Sequence, residues 1–190
     1  MKAMRARLVP VSGIAVAVTL AFMLSACAPD SPTVVPTEEP ATPIFASDEE
    51  ALAAAEAAYA EYLEVTDGLG HDTTADMRAL DDVVTADYVS VPTENIAALR
   101  ASGSRIVGST SFDSTSLQQI SMIDRETALL TFYTCLDVSA VRVVDSDGVD
   151  VTSPSRTNRV PLEIDMAIHR GPPIKLLVSR SGQWPGNEVC

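Results

Sequence analysis

Three cysteines, two histidines and a scatter of acids are the side chains of this sequence that could carry out chemistry. Cys27 follows Leu24-Ser25-Ala26, Cys135 lies in an alternating apolar stretch, and Cys190 is the last residue. Thiolates attack electrophiles, bind soft metals and pair as disulfides. A zinc site requires several Cys or His ligands at close spacing. His71 sits in a Gly-rich stretch and His169 at the end of an alternating one, and neither has a spaced Cys, His or acid pair that suggests zinc. Asp145-Ser146-Asp147-Gly148-Val149-Asp150 has some acids of a calcium loop, but an EF-hand loop closes on a Glu that is missing here. Asp and Gly are also what a hairpin turn demands, and the turn is the expectation. No Gly-x-Ser-x-Gly elbow occurs to hold a hydrolase nucleophile, and no phosphate-cradling Gly-rich loop precedes a helix. The sequence therefore nominates no catalytic residue, no metal ligand and no cofactor.

Cys27 belongs to a recognisable context. Met1–Arg7 is a short basic stretch, and Leu8–Leu24 is apolar or small throughout, interrupted by Pro10 and Gly13. Small residues then lead directly into the cysteine. Leu24-Ser25-Ala26-Cys27 resembles the lipobox of bacterial lipoprotein precursors. The resemblance implies diacylglycerol in thioether linkage on Cys27 and cleavage before it, so that residues 1–26 are a signal peptide. Two acyl chains anchor stably where one would be marginal. The alternatives are an ordinary secretory signal or an uncleaved membrane helix, but Pro10 and Gly13 interrupt the span and no basic cluster follows it. Residues 27–46 then carry Pro29, Pro32, Pro36, Pro40 and Pro43 among Thr and Glu, which predicts an extended tether reaching roughly 60 Å.

Composition narrows the partners. The chain has 190 residues and a net charge of −13, with 46% apolar and only 5% aromatic residues. Loss of residues 1–26 would remove three of 13 cations and none of 26 acids, leaving −16. Such a surface repels nucleic acid, so no nucleic-acid partner is expected. Residues 47–190 suffice for one domain with one core, built on Val, Ile and Leu.

With Cys27 lipidated, two cysteines remain in an exported chain, and the natural pairing is a disulfide between Cys135 and Cys190. It would close a loop of about 56 residues, roughly 4 kcal/mol in the chain-entropy account. Thr127–Val144 reads as the central strand. Its alternation puts Leu130, Phe132, Leu136 and Val138 toward helices, and Tyr133, Cys135 and Asp137 on the outer side under the C-terminal tail. Asp137 is then expected to bond tail backbone rather than to act as a base.

The remaining elements follow from periodicity. Ser47-Asp48-Glu49-Glu50 has the form of a capping box, starting a helix to Val65 with Leu52, Ala55, Tyr59 and Tyr62 or Leu63 inward and Gly68 and Gly70 as stop. Thr73 or Thr74 is read as the cap of a shorter helix with Met77, Leu80, Val83 and Val84 inward. A third helix is expected over Thr93–Ser102. Strands follow at Arg105–Phe112, Ser116–Ile123, Val149–Thr152, Val160–Ile168 and Ile174–Ser179, with Glu163 and Asp165 on a solvated face and 182–190 as an irregular tail. Helices followed by antiparallel strands make an α+β domain, with N-terminal helices packed on a curved sheet.

The helix Ala53–Glu64 with its aromatics, the Gly108 strand, Cys135-Leu136-Asp137 and the Trp184-Pro185-Gly186…Cys190 tail resemble the NTF2-like cone found in actinobacterial-type lipoproteins of unassigned role. Ile174 departs from that pattern, which has an aromatic there. The resemblance implies a domain lipid-anchored at the outer face of the cytoplasmic membrane through Cys27. Its expected work is non-enzymatic: binding an envelope component, a protein or a small molecule. The rival expectations are a small isomerase-, dehydratase- or hydrolase-like enzyme acting in the cone, and a scaffold subunit of an envelope complex.

Overall fold

The computed structural model describes residues 43–186 and 189–190. The signal, Cys27 and all of the tether before Pro43 lie outside the described residues. The described residues fall in one compact unit.

Helix α1 (Asp48–His71) starts as its first residues dictate. Ser47 accepts from the Glu50 amide at 3.2 Å, and the Glu50 carboxylate accepts from the Ala46 amide at 2.8 Å. Asp48, Glu49 and Glu50 place negative charge at the positive end of the helix dipole. The helix does not stop at Gly68: it runs through Gly68 and Gly70 to His71. Gly70 serves packing instead, since a Cβ there would lie 2.8 Å from the Ile106 side chain. Ala51, Ala55, Tyr59 and Leu63 form the buried stripe. The alanines bring the sheet close, and Tyr59 fills the space beyond them, edge-on to Phe112 at 5.1 Å and Phe132 at 5.8 Å.

A short 3-10 helix (Met77–Asp82) follows. Its cap is Asp76, which accepts from the Arg78 amide, and not Thr73 or Thr74. Thr74 is engaged elsewhere, donating from both amide and hydroxyl to Asp72. Helix α2 (Ser90–Ala101) begins before Thr93, with Pro92 buried in its first turn, where a missing amide hydrogen costs nothing.

The strands are β1 (Arg105–Val107), β2 (Ser111–Met122), β3 (Thr127–Asp137), β4 (Arg142–Val144), β5 (Arg159–His169) and β6 (Lys175–Gln183). They form an antiparallel sheet in the order β2-β3-β5-β6 and a separate antiparallel pair, β1-β4. The class is α+β. Two expected strands are each broken in two. Arg105–Phe112 divides at Gly108, which has φ +85°. Thr127–Val144 divides after Asp137, where the Val141 amide bonds the Val138 carbonyl. The two breaks face each other, because a Cβ on Gly108 would collide with the Ala140 carbonyl. One long hairpin thus turns a corner, and its far end becomes the small sheet.

Val149–Thr152 is not a strand; it holds a bridge from Asp150 to Val144 and a Val151 amide bond to Val143. The last strand runs past Ser179 to Gln183, and Ile174 lies outside it, 45% exposed. The edge of β6 is partly covered: Val178 bonds the Val83 carbonyl and the Thr85 amide, each at 3.0 Å. Leu130, Phe132, Leu162, Ile164, Met166, Ile168 and Val178 face α1 and make the core.

Candidate functional site

The outer face of the sheet carries most of the residues singled out in the sequence. Cys135 and Cys190 are disulfide-bonded, with an S–S distance of 2.03 Å and Cα atoms 5.2 Å apart. Tyr133, two residues before Cys135, stacks on Trp184 of the tail with ring centroids 4.3 Å apart. The Trp184 amide donates to the Pro161 carbonyl at 2.8 Å. Asp137 does not bond the tail backbone. It accepts from the Ser139 amide at 2.8 Å and from Arg159 at 2.9 Å, while Arg159 also holds Asp113 at 2.7 Å. One guanidinium so ties β2, β3 and β5 together. These bonds hold both acids below the ordinary carboxylate range, Asp113 first through Arg159 and Asp137 first through Ser139.

Glu163 and Asp165 are not a plain solvated face. Their side chains are 22% and 14% exposed, and Arg180 pairs with both. Asp165 also accepts from the Thr131 hydroxyl at 2.7 Å. Arg159 and Arg180 with their acids thus fix neighbouring strands, which is the geometry of a clasp. The Asp145 side chain accepts from the Asp147 and Val149 amides at 2.9 Å, and Gly148 has φ +81°, so this segment is a hairpin turn. His169 lies exposed at the end of β5.

The inner face has its own polar line. Tyr59, Tyr62 and Tyr88 lie between α1 and Ser181 of β6, and burial raises all three phenols above their ordinary range. Phenols shifted upward stay protonated and do not serve as bases near neutral pH.

The concavity with the most varied chemistry is a groove of about 630 Å³ between the last turns of α1 and the β1–β2 link. Ala60, Leu63 and Phe112 give it an apolar side, and Glu64, Asp67, His71 and Thr110 a polar one. Sequence reading missed Glu64, Asp67 and Thr110. The signal was present: Glu64, Asp67 and His71 recur at three and four residues, one face of a helix, once the helix is carried through Gly68. Asp67, only 9% exposed, accepts from the Thr110 amide and hydroxyl, each at 2.7 Å. His71 Nε2 donates to the Gly108 carbonyl at 2.6 Å. Both side chains therefore pin the link to the helix, and Glu64 stands exposed at the rim. Among the described residues, no three His, Cys, Asp or Glu side chains converge as metal ligands.

No family model matches the chain, and no curated protein sequence matches it. Solved structures do. The intermembrane space region of the chloroplast protein ARC6 superposes with a TM-score of 0.52 at 10% identity, over 71% of this chain and 97% of that one. A periplasmic fragment of TraM gives 0.45 at 12%, over 73% and 98%. A conserved protein from Planctomyces limnophilus DSM 3776 gives 0.34 at 12%, over 68% and 91%. What the first of these shares with this chain is the fold.

Proposed function

We propose that this protein is an extracytoplasmic lipoprotein, anchored through Cys27 to the outer face of the cytoplasmic membrane of a bacterial cell. Its NTF2-like domain works by binding rather than by catalysis. The observation that carries the binding reading is the groove. Its buried acid and its histidine are both committed to backbone groups of residues 108–110, which leaves a preformed pocket with an apolar side and one open carboxylate at the rim, Glu64. Such a surface suits an apolar ligand or peptide segment bearing a cation. The Cys135–Cys190 bond supports an oxidising compartment, and the acidic charge disfavours nucleic acid.

Two experiments test the two parts. Cells expressing the full chain and fed an alkyne palmitate label the wild type and not Cys27→Ser; equal labelling of the two would end the anchor reading. For the groove, a fluorescent naphthalene dye bearing a quaternary ammonium group binds the purified chain with enhanced emission, and Glu64→Lys lowers that emission severalfold, as does Ala60→Arg. A dye signal indifferent to Glu64→Lys and Ala60→Arg would remove the groove as the binding site.

A further inference from the structure

Strand β2 ends the larger sheet, and among the described residues no backbone hydrogen bond reaches it from any strand but β3. Nine of its twelve residues are exposed, against none of the eleven in β3. The Ile123 amide bonds the Thr127 carbonyl, and strand alternation then turns the amides of Ile120 and Met122 outward, away from β3. Open edges are commonly blunted by Lys or Pro. This strand has neither, and its one charged residue, Asp113, is held by Arg159 on the outer face.

Helix α1 runs along this strand. Its start lies with Ile120 and Met122, Glu56 in its middle accepts from the Thr115 hydroxyl, and Asp67 near its end holds Thr110. A concavity therefore stands at each end of the edge: the groove with Phe112, and a pocket of about 320 Å³ that Ile44, Phe45, Ile120 and Met122 line. Phe112 meets Tyr59 of α1, and Ile120 stands across from buried Leu130, so both belong to the helix side of the sheet. Their partners on β3, Leu136 and Leu130, are six positions apart, which sets the two sites about 20 Å apart. Bulges between these ends bend β2, a path that a flexible segment can follow. The helix beside it carries acids from Asp48 to Asp67 and no lysine or arginine. Arg125 lies beyond the strand, in the β2–β3 turn.

Resting on the binding reading of the groove, we propose that the ligand is a cationic, extended segment of another protein, which adds to the four-stranded sheet at β2. Its backbone pairs with the outward amides and carbonyls of β2. One apolar side chain enters the groove and a second, six residues along, enters the far pocket. Lys or Arg between them meets Glu56 and Glu64. A second copy of this chain, or an anionic lipid surface, would bring like charge against the same acids.

The test titrates the purified full chain against a rhodamine-labelled heptapeptide, Leu-Thr-Lys-Thr-Lys-Thr-Leu, capped at both ends, and reads anisotropy. Two isomers carry backbone N-methyl groups, one on the lysines and one on the threonines. Alternate amides of an extended peptide point to opposite edges. One isomer should therefore bind about tenfold more weakly or worse, and the other should match the parent. The bound parent should also slow amide exchange at Ile120 and Met122. Isomers of equal affinity overturn strand addition, and protection confined to another strand overturns its location. Equal binding of a counterpart with Glu for Lys overturns the cationic partner. No peptide binding, while the cationic dye still reports the groove, overturns the peptide ligand and leaves the groove standing. Loss of both signals removes the groove and strand addition together. A dimeric chain with Ile120 and Met122 already protected would assign the edge to a second copy instead.

Discussion

Asp67 is a buried carboxylate whose two partners belong to one residue, Thr110. Removing it leaves the Thr110 amide without an acceptor, at a cost of about 2 kcal/mol. Asp67→Ala should therefore lower the urea midpoint clearly. Asp67→Asn should lower it less, because its amide can accept from the Thr110 amide and donate to the hydroxyl. Equal losses in the two variants would mean that the negative charge, not the pair of hydrogen bonds, fixes the link. Arg159 acts at the same scale but through pH. Its hydrogen bond is the first cause holding Asp113 below the usual range. A carboxylate whose folded pKa is lowered stabilises above its unfolded pKa, and that stability is lost as pH falls through the folded value. Arg159→Gln should therefore flatten the loss of stability below about pH 4. The Asp137 share should persist, since Ser139 remains its first partner. Thermal midpoints between pH 7 and the acid limb would read this; parallel curves for variant and wild type would contradict it.

At the scale of elements, Gly108 decides the shape of the sheet. Its φ of +85° is left-handed, and a Cβ would meet the Ala140 carbonyl. Gly108→Ala combines that strain with a backbone clash and should cost about 3 kcal/mol or more. Amide exchange should show the loss first in β1 and β4, ahead of the larger sheet; uniform loss across both sheets would mean that the corner does not fold as its own unit. Gly108 also shows how far the elements were legible. Alternation identified β3 and β5 with their inward residues, because burying one face of a strand enforces a period of two. Ser47 and Glu50 announced the start of α1 for a similarly local reason. The breaks at Gly108 and after Asp137 were not legible as a pair: each is stabilised by the other, across more than thirty residues of sequence. Gly70 misled in the opposite direction, since its smallness answers Ile106, a contact with no local signature. The groove was lost with it, because ending the helix early separates Glu64 and Asp67 from His71. Glu163 and Asp165 alternate like any solvated pair; only the bulge that brings Arg180 beside them makes them a clasp.

At the scale of the molecule, the Cys135–Cys190 bond joins a central strand to the end of the chain. Strand β3 is flanked by β2 and β5, so the bond is rooted where the sheet is most fully paired. Its cysteines stand 55 positions apart, and the loop between them contains β4, β5 and β6. In the chain-entropy account such a cross-link contributes roughly 4 kcal/mol through the unfolded state. The residues that hold the folded tail are independent of it: Trp184 stacks on Tyr133, and its amide is bonded to Pro161. Reduction should therefore leave the fold standing and lower its stability. The wild type in excess dithiothreitol and Cys190→Ser without reductant should keep the oxidised far-ultraviolet spectrum and share one lowered urea midpoint. An unchanged midpoint would show that the unfolded chain is not constrained by the bond. A lost spectrum would show that β5 and β6 cannot dock without it. A domain that weakens but survives on reduction is matched to a compartment that keeps the bond closed.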